Sequence, residues 1–511
     1  VSLSVKSIQA NRPLKVAQAF SIAESAIFNS ALTLGSTSGS PGLFVGGDLT
    51  TNGTVTIARS ASINFILPHD HLWSGSALVS GANSLAINNN ATFYDSQTQT
   101  SYGFNATIEP GISFNTNSVT IKPGAASGGS FDSFASMSVS GGSARTITVS
   151  AEPGTMFTNH AAWSATAGAT IKLLATTWRN TGTITISASA LTLGGSFTTS
   201  GIGTIHRTDG TVELTGSLDN TGATLALSDS TGIWIQRNTG IIIGGHITTS
   251  GFVCLLSLGG IWSNVTLDGN ATVGQENELH VRNGLTVNGS LSLGFASQLG
   301  HLLFDGEVAQ VVDGAGEIRL DTNPISSSRR IENQILDLAT NTGRALTFAQ
   351  SLIISMPRLT FLVSRNQGVI NNYATISAHG SEAGFYVIGP SQTAWTAYFN
   401  NYGTIAVVDA NVEFEKVTWA NYGTLALTDC DFEMNANATV TEIGNLQNIS
   451  GTWRLSGVLD NTNSSFTLSP ITGDLRINGG TIIGGIINST GTTKIISENT
   501  TITAKAASTV G

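Results

Sequence analysis

The sequence predicts an all-β protein, a parallel β-helix whose coils hold about 20 residues and roughly three short strands each. The first observation is a gapless internal repeat. Residues 401–414, NYGTIAVVDANVEF, align on 421–434, NYGTLALTDCDFEM, at an offset of 421 − 401 = 20, and 371–378, NNYATISA, is a third member. A unit of that size has no room for a long helix and fits one turn of a solenoid. The second observation is alternation: within 401–420, Ile405 and Val407 share one face, Val412 and Phe414 the next, and Val417 and Trp419 a third, with polar or small residues between. The third is composition: 11% charged residues against 40% hydrophobic ones. The surface is therefore built from hydroxyls and amides, which suits stacked strands better than helices with Lys and Glu faces.

A longer repeat encloses the shorter one. The stretch from TTWRNTGTITI through SLDNTGATLAL to IIIGGHITTSG returns as VTWANYGTLAL, SGVLDNTNSSFTL and TIIGGIINSTG. Trp178 matches Trp419 and Asp219 matches Asp460 at one offset (419 − 178 = 460 − 219 = 241), until a deletion near Gln236 makes it 240. Such duplication lengthens a stack of coils, and Trp178 and Trp419 become core markers of equivalent coils. An even pattern over 511 residues gives about 25 coils.

In chain order, residues 1–45 form an irregular N-terminal cap or docking segment, in which 13–28 reads as a short helix with Pro13 at its first position or as an irregular first coil. Residues 46–320 form the first half of the solenoid, opening with GGDLTTNGTVTI, where Asn52-Gly53 supplies a turn. Residues 321–365, richer in Arg and less periodic, are a junction or lateral insertion. Residues 366–511 form the second half. The longest apolar stretches, 251–262 and 345–364, are too short or are broken by Gln350, Pro357 and Arg358, so no membrane span is expected.

The net charge of −10, with no basic patch beyond Arg329-Arg330, excludes nucleic acid as a partner. Cys254 and Cys430 fall at non-equivalent positions of the two copies and read as small buried hydrophobes. The offset of 20 stacks Asn401 on Asn421 and Tyr402 on Tyr422, a structural ladder of amides and rings. It also stacks Asp409 on Asp429 and Glu413 on Glu433, a weak candidate Ca²⁺ site, for which solvent-facing carboxylates are the preferred reading. His69-Asp70-His71 places two imidazoles on one side of an extended segment without a third ligand, and a surface loop is the preferred reading. His160, His206, His246 and His301 are scattered singly. No catalytic constellation stands out and no cofactor is expected. Sequons at Asn52, Asn90, Asn105, Asn264, Asn270, Asn288, Asn437, Asn448, Asn463, Asn488 and Asn499 allow glycosylation, several of them where a turn wants Asn in any case.

At TTWRNTGTITI, SLDNTGATLAL, GIIIGGHITTSG, TVNGSLSLG and VVDGAGEI, over 155–320 and 371–491, the chain resembles the giant repeat-rich surface and secreted proteins of bacteria, filamentous-haemagglutinin-like or autotransporter-adhesin-like. The resemblance implies a right-handed parallel β-helix outside the cell or on its surface. The expected function is an extracellular structural protein that self-associates into a fibre, stalk or filament. The alternatives are an adhesin that binds surface glycans and, behind it, a β-helix polysaccharide lyase or hydrolase.

Overall fold

The computed structural model describes residues 3–35, 40–58, 60–67, 70–89, 92–95, 97, 99–124, 128–150, 154–251, 255–274, 277–295, 298–319, 329–392, 394–498 and 509–510. It is 63% strand and 2% helix, and the strands stack in parallel as a β-solenoid of about 20 turns, with coils of about 22 residues. The count falls below the even estimate because several coils carry insertions. One is an antiparallel hairpin, Thr92–Asp95 with Thr100–Gly103, which opens the spacing between Ala77 and its partner Ile112 to 35 residues. The chain divides into two compact units, Val1–Ile242 with Ser250–Val253, and Ile243–Thr249 with Cys254–Gly511.

In the first unit each early strand pairs in parallel with the third strand after it. Leu3–Val5 pairs with Phe20–Ile22, Ile8–Ala10 with Ala26–Phe28, and Leu14–Val16 with Leu32–Leu34. Three strands per coil therefore generate three parallel sheets. Residues 14–28 are three such strands rather than a helix: Phe20, Ile22, Ala26 and Phe28 alternate inward, and that period of 2 outweighs the helix-start signal of Pro13. The interior is packed with rings such as Trp73 against Phe114 and Phe131 against Phe157, all at most 2% exposed.

The second unit follows the same plan. Thr404–Asn421 is one continuous strand wrapped round two corners, at Asp409 (φ 54°) and Lys416 (φ 53°). Its first two segments pair with Thr424–Thr428 and with residues 431–435 at the offset of 20 read from sequence, and the register then slips by one, so that Thr418 pairs with Asn437. A column of rings fills the core, in which Phe361, Phe399, Phe414, Phe432 and Trp453 contact one another in turn at centroid distances of 5.8–6.1 Å. Of the junction predicted at 321–365, residues 321–328 lie outside the described residues. Arg329–Asn333, Ala345–Phe348, Ile353–Ser355 and Arg358–Val363 all join the parallel sheets, while Leu336–Asp337 and Thr342–Gly343 pair antiparallel. Among the described residues no helix is long and apolar enough to cross a membrane.

The duplication holds at atomic detail. The Asp219 carboxylate accepts from the Thr221 amide at 3.0 Å, and Asp460 from that of Thr462 at 2.8 Å; these hydrogen bonds hold both carboxyls below the usual range. Ser228 N donates to Thr231 Oγ1 and Ser469 N to Thr472 Oγ1, each at 2.8 Å. Gly182 and its equivalent Gly423 lie so close to the coil below that a Cβ would stand 2.1 Å from Ala161 O and 2.0 Å from Gly403 O. The non-equivalence of the cysteines also resolves. Cys430, 2% exposed, donates its thiol to Thr428 O at 3.2 Å, just as Ser189 in the first copy donates its hydroxyl to Ser187 O at 2.9 Å. Cys254 lies outside the described residues.

Candidate functional site

Two columns run along one corner of the second unit. The inner one is a ladder of buried amides: Asn372 Nδ2 donates to Asn401 Oδ1 at 2.8 Å, Asn401 Nδ2 to Asn421 Oδ1 at 2.7 Å, and Asn421 Nδ2 to Ile443 O at 2.9 Å. These asparagines are at most 1% exposed, so the ladder satisfies groups that burial would otherwise penalise. The first unit has its counterpart, Asn159 to Asn180 at 2.8 Å and Asn180 to Ile202 O at 2.8 Å.

The outer column starts one residue further along the chain, where the side chain turns outward. Tyr373 stacks on Tyr402 at 4.6 Å with rings 9° apart, and Tyr402 on Tyr422 at 5.0 Å and 18°. The three are 42%, 40% and 58% exposed. Partial burial pushes the Tyr402 phenol up, the two neighbouring phenols add to the shift, and the hydroxyl stays protonated at neutral pH. Beside the rings run Thr375, Thr404 and Thr424, paired in register. On the other side Asn400 Nδ2 donates to Asn371 Oδ1 at 2.9 Å.

The matching corner of the first unit carries Phe134, His160 and Thr181. Phe134 and His160 stack at 4.2 Å and 5°, His160 Nε2 lies 2.9 Å from Asp132 Oδ1, and its Nδ1 lies 2.9 Å from Thr181 Oγ1. The chain carboxylate–imidazole–hydroxyl has the makings of an activated nucleophile. The amides around Thr181 are nevertheless engaged, since Thr181 N and Gly182 N both donate to Asn159 O and Thr183 N to Ala161 O. An oxyanion needs such donors free. The arrangement serves to fix the stacked rings.

The acidic column is in the predicted register, with Glu413 opposite Glu433. Asp409 and Asp429 are corner residues with φ of 54° and 53°, a conformation that Asp tolerates. The first-copy equivalent of Asp429 is Ala188, with φ 45° (429 − 241 = 188). The position thus requires a left-handed turn and not a carboxylate, which removes the motive for a Ca²⁺ site there. Two nearby carboxylates are paired, Asp431 Oδ1 with Arg454 and Glu415 with Lys416, each at 2.5 Å, and Glu433 accepts a hydrogen bond from Ser456 Oγ at 2.5 Å. Burial, with Glu415 and Glu433 alongside, pushes the Glu413 carboxyl up. Among the described residues no group of three or more His, Cys, Asp or Glu side chains could hold a metal ion.

The histidines depart from their sequence reading. His69 lies outside the described residues, and His71 belongs to no surface loop. It opens a strand, is 3% exposed, stacks on Phe65 at 5.0 Å, and places Nδ1 3.1 Å from Gly47 O and Nε2 2.9 Å from Leu67 O. Nor do all of the others stand alone. His160, His246 and His280 each pair with an aspartate of another coil, Asp132, Asp268 and Asp305, at 2.9, 2.6 and 2.9 Å. Asp305 also takes two bonds from Arg282, at 2.7 and 3.0 Å. Burial pushes its carboxyl up, but the bonds from His280 and Arg282 outweigh that and hold it at about 2. Arg330, read as half of the basic patch, is neutralised between Glu278 and Glu332.

Of the sequons, Asn90 and Asn499 lie outside the described residues. Asn448 is fully buried and inaccessible to modification, a correction that follows from its inward position on Asn445–Ile449. Asn52, Asn105, Asn264, Asn270, Asn288, Asn437, Asn463 and Asn488 are exposed. Several already hold a neighbouring coil, such as Asn52 to Asn29 at 2.8 Å and Asn288 to Asp268 at 2.8 Å, while Asn264 and Asn463 occupy left-handed turns. No family model, no curated protein and no solved structure matches this chain.

Proposed function

We propose that this chain is an extracellular or cell-surface structural protein whose β-solenoid builds a fibre, stalk or filament. The observation that carries the reading is what the duplication keeps and what it lets go. Retained between the copies are the coil-building features: the buried Asn180 and Asn421, the close-approach Gly182 and Gly423, and the capping Asp219 and Asp460. Changed are several outward side chains: Thr181 becomes Tyr422, Ala190 becomes Asp431 and Thr192 becomes Glu433. A duplicated binding or catalytic centre would keep its chemistry and vary its frame. Here the frame is what persists.

A parallel coil presents unpaired N–H and C=O groups along any uncovered edge, a template for a further strand, which supports association of copies coil on coil. Sedimentation velocity with negative-stain microscopy over rising protein concentration tests this. The expected result is concentration-dependent assembly, and a monomer at every concentration overturns it. An adhesive role is the second reading, favoured by the exposed tyrosine column.

A further inference from the structure

The tyrosine column ends abruptly. Thr424 is in register with Asn445, so Tyr422 aligns with Ile443 and the following position with Gly444. Ile443 is turned inward at 2% exposure, and Gly444 has no side chain. Its φ of 58°, and the 1.8 Å that would separate a Cβ from Asn421 O, bar any larger residue there. A one-turn helix, Val440–Ile443, with a capping box from Thr439 and Glu442, diverts the chain at this coil. The stack thus continues no further as protein, and Tyr422, its last ring, is the most exposed of the three at 58%.

What the face offers is uncharged: phenol hydroxyls at the coil spacing, a row of threonine hydroxyls on one side and the Asn371–Asn400 amides on the other. Glu442, in the helix that ends the column, and the carboxylates Asp409, Asp429, Glu413 and Glu433 further along the coils disfavour a polyanion here. Planar rings beside ordered hydroxyl and amide groups match the alternately apolar and hydroxylated surface of a sugar chain.

We propose that a neutral polysaccharide docks along Tyr373, Tyr402 and Tyr422, with one sugar ring stacked on the outer face of Tyr422 as the next layer of the column. The proposal rests on the adhesive reading and gives it a ligand class and a seat. Along the column the phenol and threonine hydroxyls exchange hydrogen bonds with successive sugar hydroxyls. No bond is formed or broken.

Affinity electrophoresis and calorimetry of the full chain against hydroxyethylcellulose, dextran and mannan, with polygalacturonate as the anionic comparison, test it. At least one neutral polymer is expected to bind, with Tyr422→Ala weakening it about tenfold and Tyr422→Phe by less than about threefold, because the ring rather than the hydroxyl supplies the stacking. Unchanged circular dichroism and melting in both variants confirm that the fold is intact. Failure of all three neutral polymers to bind overturns the proposal, and failure of polygalacturonate as well overturns the adhesive reading with it. Neutral binding that survives Tyr422→Ala leaves the adhesive reading standing and overturns the column as its seat. Preference for polygalacturonate overturns the neutral class. If Tyr422→Ala disperses assemblies while polymer binding is unchanged, the column is a contact between copies and the proposal falls.

Discussion

At the residue scale the side chains that matter most are polar and hidden. Asn401 donates to Asn421 and accepts from Asn372, so replacing it takes one hydrogen bond from each of two buried amides. Asn401→Ala is expected to destabilise the fold by about 3 kcal/mol, read as a lower midpoint in chemical denaturation. Loss of less than about 1 kcal/mol would make the ladder incidental. A second expectation concerns His280, Arg282 and Asp305. The hydrogen bond to Asp305 outweighs burial and raises the His280 pKa above 6.5, so its stabilisation is full below 6.5 and is lost as pH rises through the folded value. Asp305 sits at about 2 instead of 3.8, so its stabilisation is present above 3.8 and is lost as pH falls toward 2. Melting curves of Asp305→Asn should lie below those of the parent at pH 5–6, by on the order of 2 kcal/mol, and converge with them at about pH 2. Parallel profiles would contradict the assignment. The amide and tyrosine ladders were legible in the sequence because a gapless offset converts directly into stacking. His280 with Asp305 was not, since their 25-residue separation does not match the 20-residue period on which the coils were aligned.

At the element scale the coil is set by inward alternation, left-handed corners and glycine contacts. Alternation was readable in the sequence at every strand from Ile405 to Trp419. The corners were only half readable: Asp409 and Asp429 drew notice as carboxylates, whereas their backbone conformation is what the fold uses. Composition signals charge and hides φ. Gly423→Ala tests the contact term, because its Cβ would meet Gly403 O at 2.0 Å and push apart two coils joined by backbone bonds from Tyr422, Gly423 and Thr424. A loss of about 2 kcal/mol is expected in thermal or chemical denaturation, and an unchanged midpoint would show that the coils yield freely. Residues 13–28 illustrate the opposite case, in which a single Pro signal competed with strands of three residues and kept a helix open beside a first coil, and inward alternation excludes the helix.

At the scale of the whole molecule, repetition made the solenoid legible, while the insertions that stretch some coils stayed hidden because they lack the repeat. A solenoid is consistent with a structural or an adhesive role, and the fold itself does not choose between them. Duplicated coils that conserve their frame and vary their surface support a structural element, and a parallel stack carries the means of its own extension in its backbone edges. Electron microscopy of the concentrated, purified chain tests this most directly. Filaments with an axial repeat of about 4.8 Å in their diffraction, the spacing between paired strands, are the predicted result. Single dispersed particles at every concentration would contradict it.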